Sequence, residues 1–185
     1  MRFKLAMVAL LTCSSVCAET APNTSPEAAR ELAVWVPVQL KFVYRPFTTT
    51  YSCSGLQTRI KGLLLKLGAR SDLDVRGYGC TKLSGPDPLA GVQIKMEVLE
   101  AKGPNAWVEA HWRRVDLLED RNLLDAAADC DLIKQFEQEI LPVFAARNVD
   151  FSAACANRTP VPGSTRLKAD VLVADPRAAP PSPGR

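Results

Sequence analysis

The sequence predicts an α+β domain: a mostly antiparallel sheet of about six strands with two helices on one face. Three observations predict it. Short segments with apolar residues at every second position alternate with two segments whose apolar residues recur at helical spacing. Four cysteines remain once a leader peptide is removed, and each stands at one end of a helix–strand segment. The order strand, helix, strand, strand also occurs twice.

The chain has 185 residues, the size of one domain. Arg2 and Lys4 precede the apolar run Leu5 to Leu11, and Val16 and Ala18 place small residues at a cleavage site. That layout is a secretory signal over residues 1–18, cut after Ala18. The rival is a lipoprotein signal at Leu10-Leu11-Thr12-Cys13, which a threonine before the cysteine fits poorly. The run is too short to cross a bilayer, which takes roughly 20 apolar residues, and no later stretch approaches that. The expected location is therefore periplasmic or secreted. Losing Arg2 and Lys4 takes the formal charge from +3 to +1. A near-neutral protein has no general pull on nucleic acid or an anionic membrane. Six cysteines become four, Cys53, Cys80, Cys130 and Cys155. In an exported chain these read as two disulfides.

Residues 19–35 form an N-terminal segment, with Ser25-Pro26-Glu27 as a helix start and a short helix over Glu27–Ala33. The domain then spans 36–175. Val36, Val38, Leu40, Phe42 and Tyr44 alternate with more polar residues and predict a strand whose sheet is covered on one side. Pro37 suits an edge or a first residue. Ser54 and Gln57 fit a capping box, with Cys53 just outside the helix. Leu56, Ile60, Leu63, Leu64 and Leu67 form one helical face opposite Arg59, Lys61 and Lys66, and Gly68 ends it. Leu73, Val75 and Gly77 begin a second strand that runs to Cys80.

After a loop, Val92, Ile94, Met96 and Val98 are the inward set of a third strand. Across the turn Lys102–Asn105, Val108, Ala110 and Trp112 are the inward set of a fourth. Leu117–Ala128 has no clear period. Asp131 stands past Cys130 as Ser54 stands past Cys53. Ile133, Phe136, Ile140, Leu141 and Phe144 make a second helical stripe that Pro142 must kink or break. Asn148 to Cys155 and Leu167 to Val173 are the last strands, and the Pro-rich tail 176–185 reads as disordered.

The two halves match in detail. Cys53 to Arg70 and Cys130 to Arg147 both span 17 positions. Gln93–Ala101 and Arg166–Ala174 share Lys, acid, Val-Leu and Ala positions. The repeat units are 36–101 and 106–174. In a strand–helix–strand crossover the two strands run parallel, so a helix start and the end of the next strand share a sheet edge. Four cysteines allow three connectivities, and this argument favours Cys53 with Cys80 and Cys130 with Cys155. Each loop is worth about 3.5 kcal/mol on the chain-entropy model.

Candidate chemistry is sparse. The mature chain lacks a Cys-x-x-Cys, so the cysteines read as structural rather than redox-active. With a single histidine and those spacings no zinc site is expected, nor any other metal or cofactor. That histidine, His111, shares a strand face with Trp107, Glu109 and Arg113. A His111–Glu109 pair could serve a small hydrolase, but no marked nucleophile stands beside it. The outward sheet face collects Lys41, Arg45, Arg76, Lys95, Arg113, Arg166 and Lys168 with Tyr78 and Trp107. Asp74, Glu97, Glu109 and Asp170 oppose them, so nucleic acid or another polyanion is an alternative rather than the leading partner. The possible ligand face is Arg76, Tyr78, Trp107, His111 and Arg113. Thr48–Ser52 is a polar loop at a helix start. Asn23-Thr-Ser25 and Asn157-Arg-Thr159 match glycosylation sequons.

The runs TYSCSGLQTRIKGLLLKLGAR and DCDLIKQFEQEILPVFAARNVD resemble a set of uncharacterised small exported bacterial proteins. That resemblance implies export and the paired-cysteine framework, and no activity. The leading expectation is a non-enzymatic exported binding module or envelope accessory protein, with an envelope protein as its partner.

Overall fold

A computed structural model describes residues 30–46, 49–81, 85–101, 107–121, 123–126, 128–153, 155 and 165–176. The signal, the start at Ser25, both sequons, Thr48 and the tail from 177 lie outside the described residues.

Six strands and two helices follow in the order β1 (Arg30–Val43), α1 (Cys53–Lys66), β2 (Asp74–Tyr78), β3 (Gly91–Ala101), β4 (Val108–Asp116), α2 (Cys130–Glu139), β5 (Ala146–Ser152) and β6 (Arg166–Ala174). All pairings are antiparallel, and the sheet order is β2-β3-β1-β4-β6-β5. This is the α+β class expected. Exchanging β1 with β4, β2 with β5 and β3 with β6 reverses the order onto itself. Each half is therefore wired alike. β1 and β2 run parallel with β3 between them, as β4 and β5 do around β6.

Among the described residues, β1 pairs with β3 from Ala33 to Val43 and with β4 from Arg30 to Ala33. Past Ala33 the β4 side of β1 has no described strand beside it. Pro37 fits there. The Glu97 carbonyl accepts the Arg70 amide, away from β1, so the Pro37–Glu97 pair is not hydrogen-bonded. The missing N–H of Pro37 therefore faces the open side, where a central strand tolerates proline.

One core joins both helices to the sheet. Leu56, Ile60, Leu63 and Leu64 of α1 meet Phe42, Val92 and Ile94, while Leu132, Ile133 and Phe136 of α2 meet Leu167, Ala169 and Val171. α1 starts at Ser52, whose hydroxyl accepts the Gly55 amide at 3.1 Å. It ends in a Schellman turn, with Gly68 N–H on Leu65 O and Ala69 N–H on Leu64 O. Gly68 has φ +88, a conformation costly for any residue with a Cβ. α2 stops as Pro142 requires, and Leu141–Val143 continue as one 3₁₀ turn.

Several expectations need correction. Arg30–Ala33 are strand, not helix, because they pair with β4. The cap of α1 is Ser52 rather than Ser54, Gln57 instead bonds Val75 O at 2.7 Å, and both Cys53 and Cys130 lie inside their helices. Val108, Ala110 and Trp112 point away from the helices. Their register partners Ala33, Ala174 and Leu172 share that outer face. There Ala33, Leu99, Val108, Ala110 and Leu172 form a second buried cluster, flanked by Trp35 and Trp112. The sheet is thus apolar on both sides at its centre.

Both disulfides join the predicted partners. Cys53–Cys80 has a Cα separation of 6.2 Å and Cys130–Cys155 one of 5.7 Å. Each ties the first residue of a helix to the chain beyond the next strand.

Candidate functional site

The buried polar groups converge where the start of α1 meets the start of α2. Asp129, 1% exposed, precedes Cys130 as Ser52 precedes Cys53. Its carboxylate does not cap α2. It accepts the Tyr51 hydroxyl, the Arg59 guanidinium at 3.0 Å and the Asp125 amide at 2.7 Å. Arg59 also donates to Leu123 O and stacks 5.4 Å from the Tyr51 ring centroid. The Tyr44 and Tyr51 rings lie 5.0 Å apart, and Tyr44 donates to Thr49 O at 2.8 Å. Thr49 reaches Ala128 O, while Gln135 of α2 clasps both the amide and the carbonyl of Arg45. Burial, and then the neighbouring Asp131 and Asp129 charges, push the Tyr44 phenol far up. Burial, then the bond to Asp129, does the same to Tyr51. These phenols stay protonated and act as donors.

A second buried carboxylate, Asp87, organises the loop before β3. It accepts the Thr81 amide at 2.6 Å, the Thr81 hydroxyl at 2.9 Å and the Leu89 amide at 3.0 Å. Asp129 and Asp87 thus hold backbone in place, and Asp131, in the first turn of α2, is a third buried acid.

Two openings flank these elements. Beside Arg59, a depression of about 360 Å³ is lined by Ser52, Ser54, Gly55 and Thr58. Between the halves, a mostly apolar groove of about 340 Å³ is lined by Val36, Val38, Val98, Val143, Phe144 and Ala145, together with Glu100. Leu32 and Trp107 lie near the β1–β4 join, 57% and 54% exposed.

The residues proposed from sequence as one ligand face do not share a face. Arg76 and Tyr78 lie on the outer side of β2, where Arg76 pairs with Asp74 at 2.8 Å and Lys41 stacks on Tyr78. Arg113 lies on the helix side and donates to Lys66 O at the end of α1. His111 shares that side, in register with Val173 of the main core. Trp107 stands just before β4. The hydroxyl loop delivers Tyr51 and Thr49 to structural bonds.

The outer face is also paired internally. Arg114 meets Asp170 at 3.2 Å, Lys168 meets Asp116 at 2.9 Å, Arg166 meets Asp150 at 2.7 Å, and Arg70 meets Glu97. Burial opposes ionisation of Asp116, but Lys168 and the Leu118 amide outweigh it and hold the carboxyl below the usual range. Asn148, with Arg114 adding to it, holds Asp170 low as well. Among the described residues, no group of three or more His, Cys, Asp or Glu could hold a metal. Nor, among them, is any helix long and apolar enough to cross a membrane.

Sequence reasoning missed the Tyr51–Arg59–Asp129 network. The repeat carried a signal for it, since Asp129 occupies the position of the α1 cap in the second half. No protein-family model, curated protein or solved structure matches the chain.

Proposed function

We propose that the chain is an exported, non-enzymatic binding module or accessory protein of the cell envelope, held together by its two disulfides. The observation that carries this reading is the use of two of the three buried carboxylates among the described residues. Asp129 and Asp87 are both committed to fastening loops, and the raised phenols beside Asp129 are donors rather than acids or nucleophiles. The bridges suit an oxidising compartment. The signal-like leader and the resemblance to small exported bacterial proteins support the same location. The apolar groove between the halves is the surface best suited to a partner, because outer-face charges already neutralise each other in pairs.

The test is capture from intact cells. The full chain, crosslinked in place and purified, should bring down one envelope protein. Capture should survive His111→Ala and the pair Arg76→Ala with Arg113→Ala. Turnover lost in His111→Ala would favour a hydrolase. Polyanion binding that weakens steeply with salt would favour the outer face instead.

A further inference from the structure

The two bridges occupy matching places, yet their sulfurs meet different surroundings. Cys80 is exposed and Cys53 half-buried. Cys130 is 3% exposed, its sulfur 3.6 Å from the Thr165 hydroxyl, while Cys155 is half-buried like Cys53. Gly77 leaves one side of the first bridge uncovered. A Cβ there would stand 3.3 Å from Cys80 Sγ and 3.7 Å from Cys53 Cβ.

The helix starts differ in charge as well. α1 is capped by neutral Ser52 and carries no acid in its first turn. Cys130 is flanked by Asp129 and Asp131, the latter in the first turn of α2. A thiolate at Cys53 would face the positive end of a 14-residue helix with no acid in its first turn; the nearby Asp87 carboxylate is taken up by the Thr81 and Leu89 donors. A thiolate at Cys130 would have carboxylates on both sequence neighbours.

We propose that Cys53–Cys80 is a thiol-exchange site for small thiols, while Cys130–Cys155 is a closed structural bridge. The incoming thiolate gives its electron pair to Cys80 Sγ, the exposed sulfur. The Cys53–Cys80 bond breaks, and Cys53 leaves with the bonding pair as a thiolate at the helix start. The product is a mixed disulfide on Cys80, so one disulfide has replaced another with no net change in oxidation state. Cys53 can attack Cys80 Sγ in return, expelling the small thiol and restoring the bridge. The expectation that both bridges are purely structural then holds for the second alone.

The experiment treats the oxidised mature protein with reduced glutathione in native buffer, quenches with iodoacetamide and maps the peptides. Glutathione should appear on Cys80 and the alkyl group on Cys53, with Cys130–Cys155 intact. The first bridge should open about tenfold faster or more. Gly77→Ala and Ser52→Asp should each slow opening about threefold, the first by covering the sulfur and the second by disfavouring the leaving thiolate. In urea the difference should shrink to a few-fold at most, the part owed to the acids beside Cys130 in sequence. Equal rates in native buffer, glutathione on Cys53, or a tenfold difference that persists in urea would each overturn the assignment.

Discussion

Asp129→Ala should be the most damaging single polar substitution in this chain. The carboxylate is 1% exposed and accepts three donors. A buried donor left without its acceptor costs about 1–3 kcal/mol. The Tyr51 hydroxyl is fully enclosed and should lose about 1.5 kcal/mol. Arg59 is 31% exposed and keeps Leu123 O, so its loss falls near the low end, about 1 kcal/mol. The Asp125 amide belongs to an exposed residue and adds about 0.5 kcal/mol. The total is about 3 kcal/mol. With an m-value of about 2 kcal/mol/M, the urea midpoint of the oxidised protein should fall by about 1.5 M at neutral pH. Asp129→Asn keeps acceptor oxygen and shape and should lose about half as much. A cycle with Tyr51→Phe should show coupling of about 1.5 kcal/mol. A loss below about 1 kcal/mol, or additive single effects, would show that the network does not hold the helix starts together.

The same phenols give an alkaline prediction. Tyr44 and Tyr51 have folded pKa values raised above the unfolded value, so their contribution is full below about pH 10 and is lost as pH rises beyond it. Stability should decline by up to about 1.4 kcal/mol per pH unit for each phenol, and Tyr44→Phe with Tyr51→Phe should flatten that slope in urea titrations. In acid the sign reverses. The Asp116 and Asp170 carboxyls are held low, so their contribution is present above the unfolded pKa near 4 and fades as pH falls further. Asp116→Asn should reduce the loss of melting temperature measured between pH 5 and about pH 2. Gly68→Ala should cost about 2 kcal/mol in the same urea assay, because φ is +88 and a Cβ would stand 2.8 Å from Val173 Cγ1. Pro37→Thr should leave monomer stability within about 0.5 kcal/mol but restore a donor on the open side of β1, and analytical ultracentrifugation should detect added self-association.

What could be read from the residues was whatever repeats locally. The spacing of Leu56, Ile60, Leu63 and Leu64 specified the buried face of α1, and all four are in the core. The matched cysteine positions specified the bridges, because a crossover brings a helix start to the end of the next strand. The face of β4 was not legible. Val108, Ala110 and Trp112 alternate correctly but pack on the outer side, the first two buried and Trp112 half-buried, and Val115 returns to the main core. Alternation says that two faces differ, not which face a helix covers. Arg113 and His111 were placed outward for the same reason, since nothing local shows that α1 ends beside them. The network around Asp129 stayed hidden because Tyr51 and Arg59 lie 78 and 70 residues away from it. One acid among several at the end of an aperiodic stretch resembles any solvated loop residue.

The tie between the halves bears on how the molecule comes apart. Each half carries its own helix and its own covalent clasp, and among the described residues Arg30–Ala33 face Val108–His111 where the halves meet edge to edge. The rest of the tie lies off that edge, in the shared core and in the bonds from Tyr51 and Arg59 to Asp129 and between Gln135 and Arg45. Pulling the halves apart breaks these while each half keeps its own strand ladder and bridge.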